Sequence, residues 1–243
     1  IETLVSLGIN NFCLVTGHKR EALEKQYLRG QFGGPSVNLI RNENYSTTGS
    51  AYSVMLGLKH TDEKTLIVYS DIIFDRHVPE ELLQSPYPIT LVIDQAFRDL
   101  PRRDKALDLT QTVTTLGDAY AARNMLPVKF KKISKIGKNN IEFSKASHEF
   151  IGMMLLSKEG LQLMKTAWGG AQKKYWDKEF FEAKNIEQAS MTDVLQYMIE
   201  KGIEVQGLVI EHGWSEIYSL DDYERLNQYF SERAGSLLQV PVP

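Results

Sequence analysis

The 243-residue sequence predicts a three-layer α/β fold, in which a mixed, mostly parallel sheet has helices on both faces. Helix and strand patterns alternate through the first hundred residues, the order typical of strands joined by helical crossovers. The run TLIVYSD at 65–71 is apolar and ends in an acid, which is typical of a central strand covered on both faces. Hydrophobic residues at 42% and charged residues at 24% are ordinary globular values. We therefore predict one domain over 1–235 and a loose tail over 236–243.

Local periodicity defines the elements in order. Continuous or alternating apolar runs predict strands at 12–16, 37–40, 65–71, 89–93, 129–136, 149–156 and 205–210. Apolar positions three or four residues apart predict helices that end at Gly8, span 19–28, begin at Ser50, span 79–84, 158–176 and 186–201, and begin at Leu220. The charged stretch FRDLPRRDKALD at 97–108 has no clean period. It is either a mobile loop over the functional site or a merely solvated loop.

Composition narrows the classes of function. A formal net charge of −3 gives no basic surface for a polyanion, so we expect no nucleic-acid partner. No apolar stretch approaches the roughly 18 residues of a membrane span, and no export signal is present, so we expect a cytoplasmic protein. The single cysteine, Cys13, lies in the run FCLV, where a reduced and buried thiol is expected. Without a P-loop or a G-x-G-x-x-G after a strand, nothing supports a kinase or a dinucleotide-binding protein.

Asp71 is the strongest single candidate for chemistry. Ligands of open α/β sheets bind beyond the carboxyl ends of strands, and an acid at that position is suited to Mg²⁺. The same acid has an ordinary alternative role, which is to cap the following turn. One carboxylate is seldom enough for a metal site, and the late run HGWSEIYSLDDY offers a second. We choose Glu216, because Asp221 and Asp222 are explained as first-turn residues of the last helix.

The loop at 44–50 and two lysines could contribute to phosphate binding. The loop contains side-chain amides, hydroxyls and a glycine, and it leads into a helix amino terminus, where a base edge or a phosphate could bind. The alternative is a turn whose Asn and Ser side chains bond their own backbone. Lys135 and Lys138 could reach phosphate oxygens or form the solvated face of a strand.

Three aromatic residues near one helical face, Trp168, Tyr175 and Trp176, raise the possibility of an ammonium site. Together with Asp193 they could surround such a group through cation–π contacts. Packing in the core is the alternative explanation for these side chains.

Several segments together resemble the Rossmann-like nucleotidylyltransferases, and within them the cytidylyltransferases that act on phosphocholine and 2-aminoethylphosphonate. The resemblance covers nearly the whole chain and depends on the order and spacing of ETLVSLGINNFCLVTGHK, NENYSTTGSAYSV, IVYSD, HEFIGMMLLS, ASMTDVLQYMIEKGIEV and GWSEIYSLDDY. It implies a Rossmann-like nucleotidyltransferase fold and the Mg²⁺-dependent transfer of CMP from CTP, with release of pyrophosphate. The acceptor would be a small phosphorylated or phosphonylated molecule.

The resemblance also implies roles for individual residues. Asp71 corresponds to the first metal-binding aspartate, and Thr48, Gly49 and Ser50 lie where the base and ribose are held. Residues implied around the acceptor are Lys138, Glu149, Asp193 and Trp214, where an acid would suit a cationic amine. A homodimer is left open.

The sequence departs from the family pattern in two ways. The family opens with a strand and a glycine-rich loop that ends in arginine, followed by a lysine; this sequence begins after them, so we expect the chain as given to be inactive. Tyr218 stands where the family has a second metal-binding aspartate, and a tyrosine is a poor ligand for Mg²⁺ at neutral pH. Either Glu216 binds the metal instead, or the protein binds nucleotide without efficient turnover. A sugar-1-phosphate nucleotidylyltransferase and a non-catalytic nucleotide-binding module are the alternatives.

Overall fold

The computed structural model describes residues 1–28, 34–99, 107–113, 118, 123, 129–139 and 141–237. The strands are β1 (Asn11–Thr16), β2 (Ser36–Arg41), β3 (Thr65–Val68), β4 (Ile72–Phe74), β5 (Ile89–Asp94), β6 (Leu109–Val113), β7 (Phe130–Gly137), β8 (His148–Leu156), β9 (Gln206–Ile210) and β10 (Trp214–Glu216). The helices are α1 (Glu2–Val5), α2 (Arg20–Leu28), α3 (Ser50–Leu58), α4 (His77–Leu82), α5 (Lys158–Tyr175), α6 (Met191–Glu200) and α7 (Leu220–Leu237), with a 3₁₀ turn at Ile186–Gln188.

These strands form one large sheet and two small ones. The large sheet has the order β3-β8-β5-β9-β7-β6, and β1-β2 and β4-β10 are two-stranded. Strand β6 also pairs with the beginning of β8, which closes β8, β5, β9, β7 and β6 into a ring. The register between β5 and β8 shifts between Leu91 and Ile93. This shift indicates a β-bulge in β8 around Gly152. The bulge lies beside the candidate site.

Helices and apolar side chains cover both faces of the large sheet. On one face, α3, α5 and α6 pack against alternate residues of β5 and β8, including Leu91 and Met154. On the other face, α4 and the β4-β10 pair cover residues of the opposite parity, including Val92 and Met153. Successive side chains of a strand point to opposite faces of the sheet, so each of these strands contributes to both cores. The predicted α/β organisation with helices on both faces is confirmed.

The expectation of a mostly parallel sheet was wrong for the described pairings. Parallel pairing occurs in β1-β2 and β5-β9, whereas the other described pairs are antiparallel. The helix–strand alternation that suggested parallel strands belongs to the first hundred residues. Strands β7 and β8 follow one another with no helix among the described residues between them. Strand β6 pairs in the antiparallel direction with both.

Two predictions of deep burial were also wrong. Strand β3 ends at Val68 and is half-buried along its length, because it lies at the edge of the large sheet rather than at its centre. Cys13 is exposed on β1, with Sγ at 4.0 Å from the carbonyl oxygen of Gly57. An apolar run indicates a strand, but the neighbours of the strand determine how far its side chains are buried.

The last helix, α7, extends to Leu237, so the predicted boundary before residue 236 falls within it, and residues 238–243 lie outside the described residues. Much of α7 is exposed, including Leu220, Tyr223 and Tyr229. Asp222 is buried in its first turn, where its carboxylate accepts hydrogen bonds from the backbone and hydroxyl of Ser219. This confirms its predicted role at the helix start. In the described part of the chain, the helices are too short or too polar to cross a membrane.

Candidate active site

A cleft at the edge of the large sheet brings together Asp71 and Glu216, the two predicted metal ligands. Glu216 pairs with Ile72 across β4 and β10, and the backbone N–H of Ile217 donates to the carbonyl oxygen of Asp71 at 2.7 Å. Both acids line the same cleft. Among the described residues, no group of three or more histidines, cysteines and acids could hold a metal ion. Two carboxylates suit Mg²⁺, which usually completes its coordination with substrate phosphates and water.

Trp214 lines the same cleft and is held there by Asp94. Its indole Nε1–H donates to Oδ2 of Asp94 at 2.8 Å. Oδ1 of the same carboxylate accepts from the backbone N–H of Ala96 at 2.8 Å and of His212 at 3.3 Å. Asp94 is fully buried, so these donors compensate the cost of burying its charge. The sequence predicted Trp214 as a site residue and missed Asp94, which appears there only as the last residue of a strand.

Tyr69 lies in the wall between the cleft and the loop at 44–50. Its ring packs over Gly152, where a Cβ would lie 2.8 Å from the ring, and Gly152 adopts a φ of +83° that few other residues tolerate. The Ser50 side chain lies close to the Tyr69 hydroxyl. Burial, followed by the negative charge of Asp108 and then of Asp71, raises the pKa of the Tyr69 hydroxyl, which therefore stays protonated.

Asp108 is a residue of the cleft that the sequence analysis did not single out. It precedes β6, and its carbonyl oxygen accepts from the N–H of Phe150 at 2.7 Å. Its carboxylate lies 3.9 Å from Nζ of Lys138 and 3.4 Å from the hydroxyl of Thr192. Little in the sequence pointed to it, because β6 has the largely polar sequence LTQTV and no strand was predicted there. Of the charged stretch at 97–108, residues 100–106 lie outside the described residues.

Glu149 is a buried member of the cleft wall. It is 6% exposed and pairs with Asp94 on β5 and with Leu109 on β6. Its predicted position beside an acceptor therefore agrees with its place in the cleft. Its role in binding stays a prediction.

Asp193, predicted beside the acceptor, has a structural role in this fold. One carboxylate oxygen accepts from the backbone N–H and the hydroxyl of Ser190 at 2.8 and 2.7 Å, completing a capping box at the start of α6. The other accepts from the N–H of Glu182 at 3.3 Å. Because these bonds already engage both oxygens, helix capping accounts for this acid.

Hydrogen bonds within the loop at 44–50 and from residues outside it hold the loop in place. Thr48 accepts from the Asn42 side chain at 3.0 Å and donates to the carbonyl oxygen of Asn44 at 2.9 Å. Ser50 accepts from the N–H of Met191 at 3.0 Å. Gly49 packs so closely that an added Cβ would lie 2.1 Å from the carbonyl oxygen of Ala189. The bonds inside the loop come from threonine hydroxyls rather than from the Asn and Ser side chains of the self-bonded alternative, and base or ribose binding by the loop stays a prediction.

The predicted aromatic cage is not assembled. Trp168 is 5% exposed in the main core, and Trp176 is 68% exposed. Tyr175 packs against Phe180 and Tyr197, with ring centroids 5.2 and 6.1 Å apart. The core-packing alternative therefore holds for Trp168 and Tyr175.

No protein-family model matches the chain. The CTP:phosphoglutamine cytidylyltransferase of Campylobacter jejuni is 24% identical over 231 residues, which are 92% of this chain and 83% of that protein. The CMP-5'-(3-aminopropyl)phosphonate synthase of Streptomyces rubellomurinus is 28% identical over 97 residues, 40% of this chain and 15% of that protein.

Solved structures with the same fold include nucleotidyltransferases. The inositol-1-phosphate CTP transferase of T. maritima has a TM-score of 0.61 at 18% identity. The superposition includes 90% of this chain and 75% of the T. maritima chain. The CTP:phosphocholine cytidylyltransferase of Streptococcus pneumoniae has a TM-score of 0.61 at 18% identity, covering 95% and 82%. A UTP-bound UGPase of Acinetobacter baumannii has a TM-score of 0.59 at 11% identity, covering 99% and 86%.

The chain has the fold of solved nucleotidyltransferases, and its sequence is similar to that of a cytidylyltransferase over 92% of its length, in agreement with the predicted class of enzyme. Within that class its sequence resembles the cytidylyltransferases, as the motifs indicated.

Proposed function

We propose that the protein is a Mg²⁺-dependent cytidylyltransferase of the cytoplasm that transfers CMP from CTP to a small phosphorylated or phosphonylated acceptor. The proposal rests on one observation, that Asp71 and Glu216 both line the cleft next to the β4–β10 pair. The sequence relatives, named for cytidylyl transfer and for CMP-phosphonate synthesis, support CTP as the nucleotide.

The reaction forms a bond between an acceptor oxygen and the α-phosphorus of CTP and breaks the bond to the β-phosphate, so pyrophosphate leaves. Asp71 and Glu216 would hold Mg²⁺, which would supply positive charge to the phosphates. Lys138 is the cation of this chain that would orient the acceptor's phosphate or phosphonate oxygens. Asp94 keeps Trp214 fixed, so the cleft wall is preorganised before substrates bind.

The experiment measures pyrophosphate release by the intact protein with CTP, UTP, ATP or GTP, each combined with 2-aminoethylphosphonate, phosphocholine or glucose-1-phosphate. Asp71→Asn keeps the shape of the side chain and removes its charge. We expect it to reduce kcat at least 100-fold, or about 2.7 kcal/mol in activation free energy. Asp75→Asn is the matched control, because Asp75 is an exposed acid just beyond the other end of β4. Undiminished turnover by Asp71→Asn would exclude Asp71 from metal binding.

A second candidate is a nucleotide-binding module without turnover. It is favoured by the exposed Tyr218, which stands where the resemblance implies a second metal-binding aspartate. Isothermal titration with CTP and Mg²⁺ distinguishes the two. Binding without pyrophosphate release from any acceptor supports the module, and release supports the enzyme.

A further inference from the structure

Asp94 joins the two sheets that border the cleft. It is the last residue of β5 in the large sheet, and its carboxylate binds Trp214, the first residue of β10 in the small β4–β10 sheet. We propose that Asp94 is a positioning residue, which fixes β10 so that Glu216 faces the cleft together with Asp71 in the arrangement that binds the divalent metal. The inference rests on the proposed function and adds to it the residue that sets the metal affinity of the site.

The Asp94 carboxylate is a buried anchor at the ligand-binding edge of the large sheet. It lies at the carboxyl end of β5 beside that of the parallel strand β9, where Asp94 pairs with Ile210. Asp94 is 0% exposed, and two of its donors, the N–H of His212 at 3.3 Å and the indole N–H of Trp214 at 2.8 Å, belong to the segment that enters β10. Water cannot replace these donors at a fully buried carboxylate, so the two bonds hold the segment firmly.

The turn that leads from β9 into β10 has an unusual backbone conformation. His212 has a φ of +64° and Gly213 a φ of +79°, so two successive residues lie in the left-handed region. A histidine adopts this conformation at a cost in free energy, which the surrounding bonds must offset. The N–H of His212 donates to Asp94 on one side of the turn. On the other side, the carbonyl oxygen of Gly213 accepts from the N–H of Asp75 at 2.8 Å. Asp94 therefore stabilises the turn that sets the direction of β10.

The position of Trp214 determines that of Glu216. The two residues are two apart in β10, so their side chains point to the same side of the strand, and both line the cleft. Strand β10 has three residues and few backbone bonds of its own, so a side-chain anchor adds to the precision of its placement. Mg²⁺ requires nearly ideal octahedral geometry, and a displaced Glu216 would therefore bind it more weakly.

Two substitutions at this contact separate its parts. Asp94→Asn keeps the shape of the side chain, but its amide offers one acceptor oxygen for donors that approach both oxygens of the carboxylate, so its NH₂ group faces another N–H. Trp214→Phe removes the indole N–H and keeps an aromatic ring. If Asp94 acts through Trp214, the double variant should be no more impaired than Asp94→Asn alone. Effects that multiply in the double variant would overturn this route.

The first measurement is the Mg²⁺ concentration that gives half-maximal pyrophosphate release. For Asp94→Asn we expect it to rise about 10-fold or more, while kcat at saturating Mg²⁺ changes less than about threefold, because the residue orients a metal ligand without contacting substrate. Trp214→Phe should raise it about threefold or more, and it tests the same contact if Asp94→Asn does not fold. Thr90→Val is the matched control, since it removes a buried hydrogen bond to Ser85 near the other end of β5.

The second measurement is amide hydrogen exchange of the metal-free protein, which needs no turnover. Exchange over 212–217 should become about 10-fold faster in Asp94→Asn, with exchange over 150–156 of β8 unchanged. An unchanged Mg²⁺ requirement or unchanged exchange at 212–217 would overturn the inference and leave the proposed function intact. An equal rise in the Mg²⁺ requirement of Thr90→Val would also overturn it, because general destabilisation would then explain the effect. If the unaltered protein releases no pyrophosphate from any substrate pair, the proposed function fails, and the role of Asp94 in metal binding fails with it.

Discussion

His148 provides a quantitative test of the packing around β6 and β8. It is 3% exposed at the start of β8, and neither ring nitrogen has a hydrogen-bond partner among the described residues. Burial, followed by the positive charges of Lys131 and Arg98, lowers the pKa of His148 from 6.5 to about 4. The folded protein therefore excludes a proton that the unfolded chain accepts.

The sign and size of the effect follow from this difference. As pH falls below 6.5, the unfolded state binds the proton and the folded state does not, so the free energy of unfolding decreases until about pH 4. At roughly 1.36 kcal/mol for each pKa unit, the full loss is about 3 kcal/mol, of which about 2 kcal/mol has occurred at pH 5. Above about pH 7.5, both states are neutral at this residue and the contribution disappears.

The measurement is urea unfolding at pH 8 and at pH 5 for the unaltered protein and for His148→Leu. The leucine changes the packing by the same amount at both pH values. The quantity compared is therefore the change in the free energy of unfolding between pH 8 and pH 5. We expect the unaltered protein to lose about 2 kcal/mol more than His148→Leu between pH 8 and pH 5. His60→Leu, which replaces an exposed histidine, should behave like the unaltered protein. Equal losses in all three proteins would refute the reasoning.

Two further substitutions test structural roles at the site. Asp193→Ala removes the capping box of α6 and should cost about 1–2 kcal/mol in urea unfolding while leaving KM for the acceptor unchanged; unchanged stability together with a raised KM would instead assign Asp193 to the acceptor. Gly49→Ala places a methyl group 2.1 Å from the Ala189 carbonyl oxygen and should destabilise the fold by about 2 kcal/mol or more in thermal unfolding. Gly169→Ala is its control, because nothing lies within 4 Å of the added Cβ; a similar loss in both variants would contradict the packing argument.

Seven of the strands and most of the long helices could be predicted from the sequence, whereas β4, β6 and β10 were missed. Strand β5 was predicted at 89–93 and spans Ile89–Asp94, and α5 was predicted at 158–176 and spans Lys158–Tyr175. Such patterns report the local environment of each residue, which is why they succeeded for single elements. The sequence also pointed to Asp71, as an acid at the end of an apolar run, and to Glu216; both line one cleft, and metal binding by them stays a prediction.

Only the tertiary structure decided which strands are neighbours and which polar groups meet. The edge position of β3, the antiparallel return of β8, and the bonds from Trp214 to Asp94 all join residues far apart in the chain. Asp193 and Asp108 show the same limit, since the first is engaged in a helix cap and the second enters the cleft from an irregular segment. Periodicity carries no information about such long-range partners, because they are selected by the packing of whole elements and by the need to pair buried polar groups.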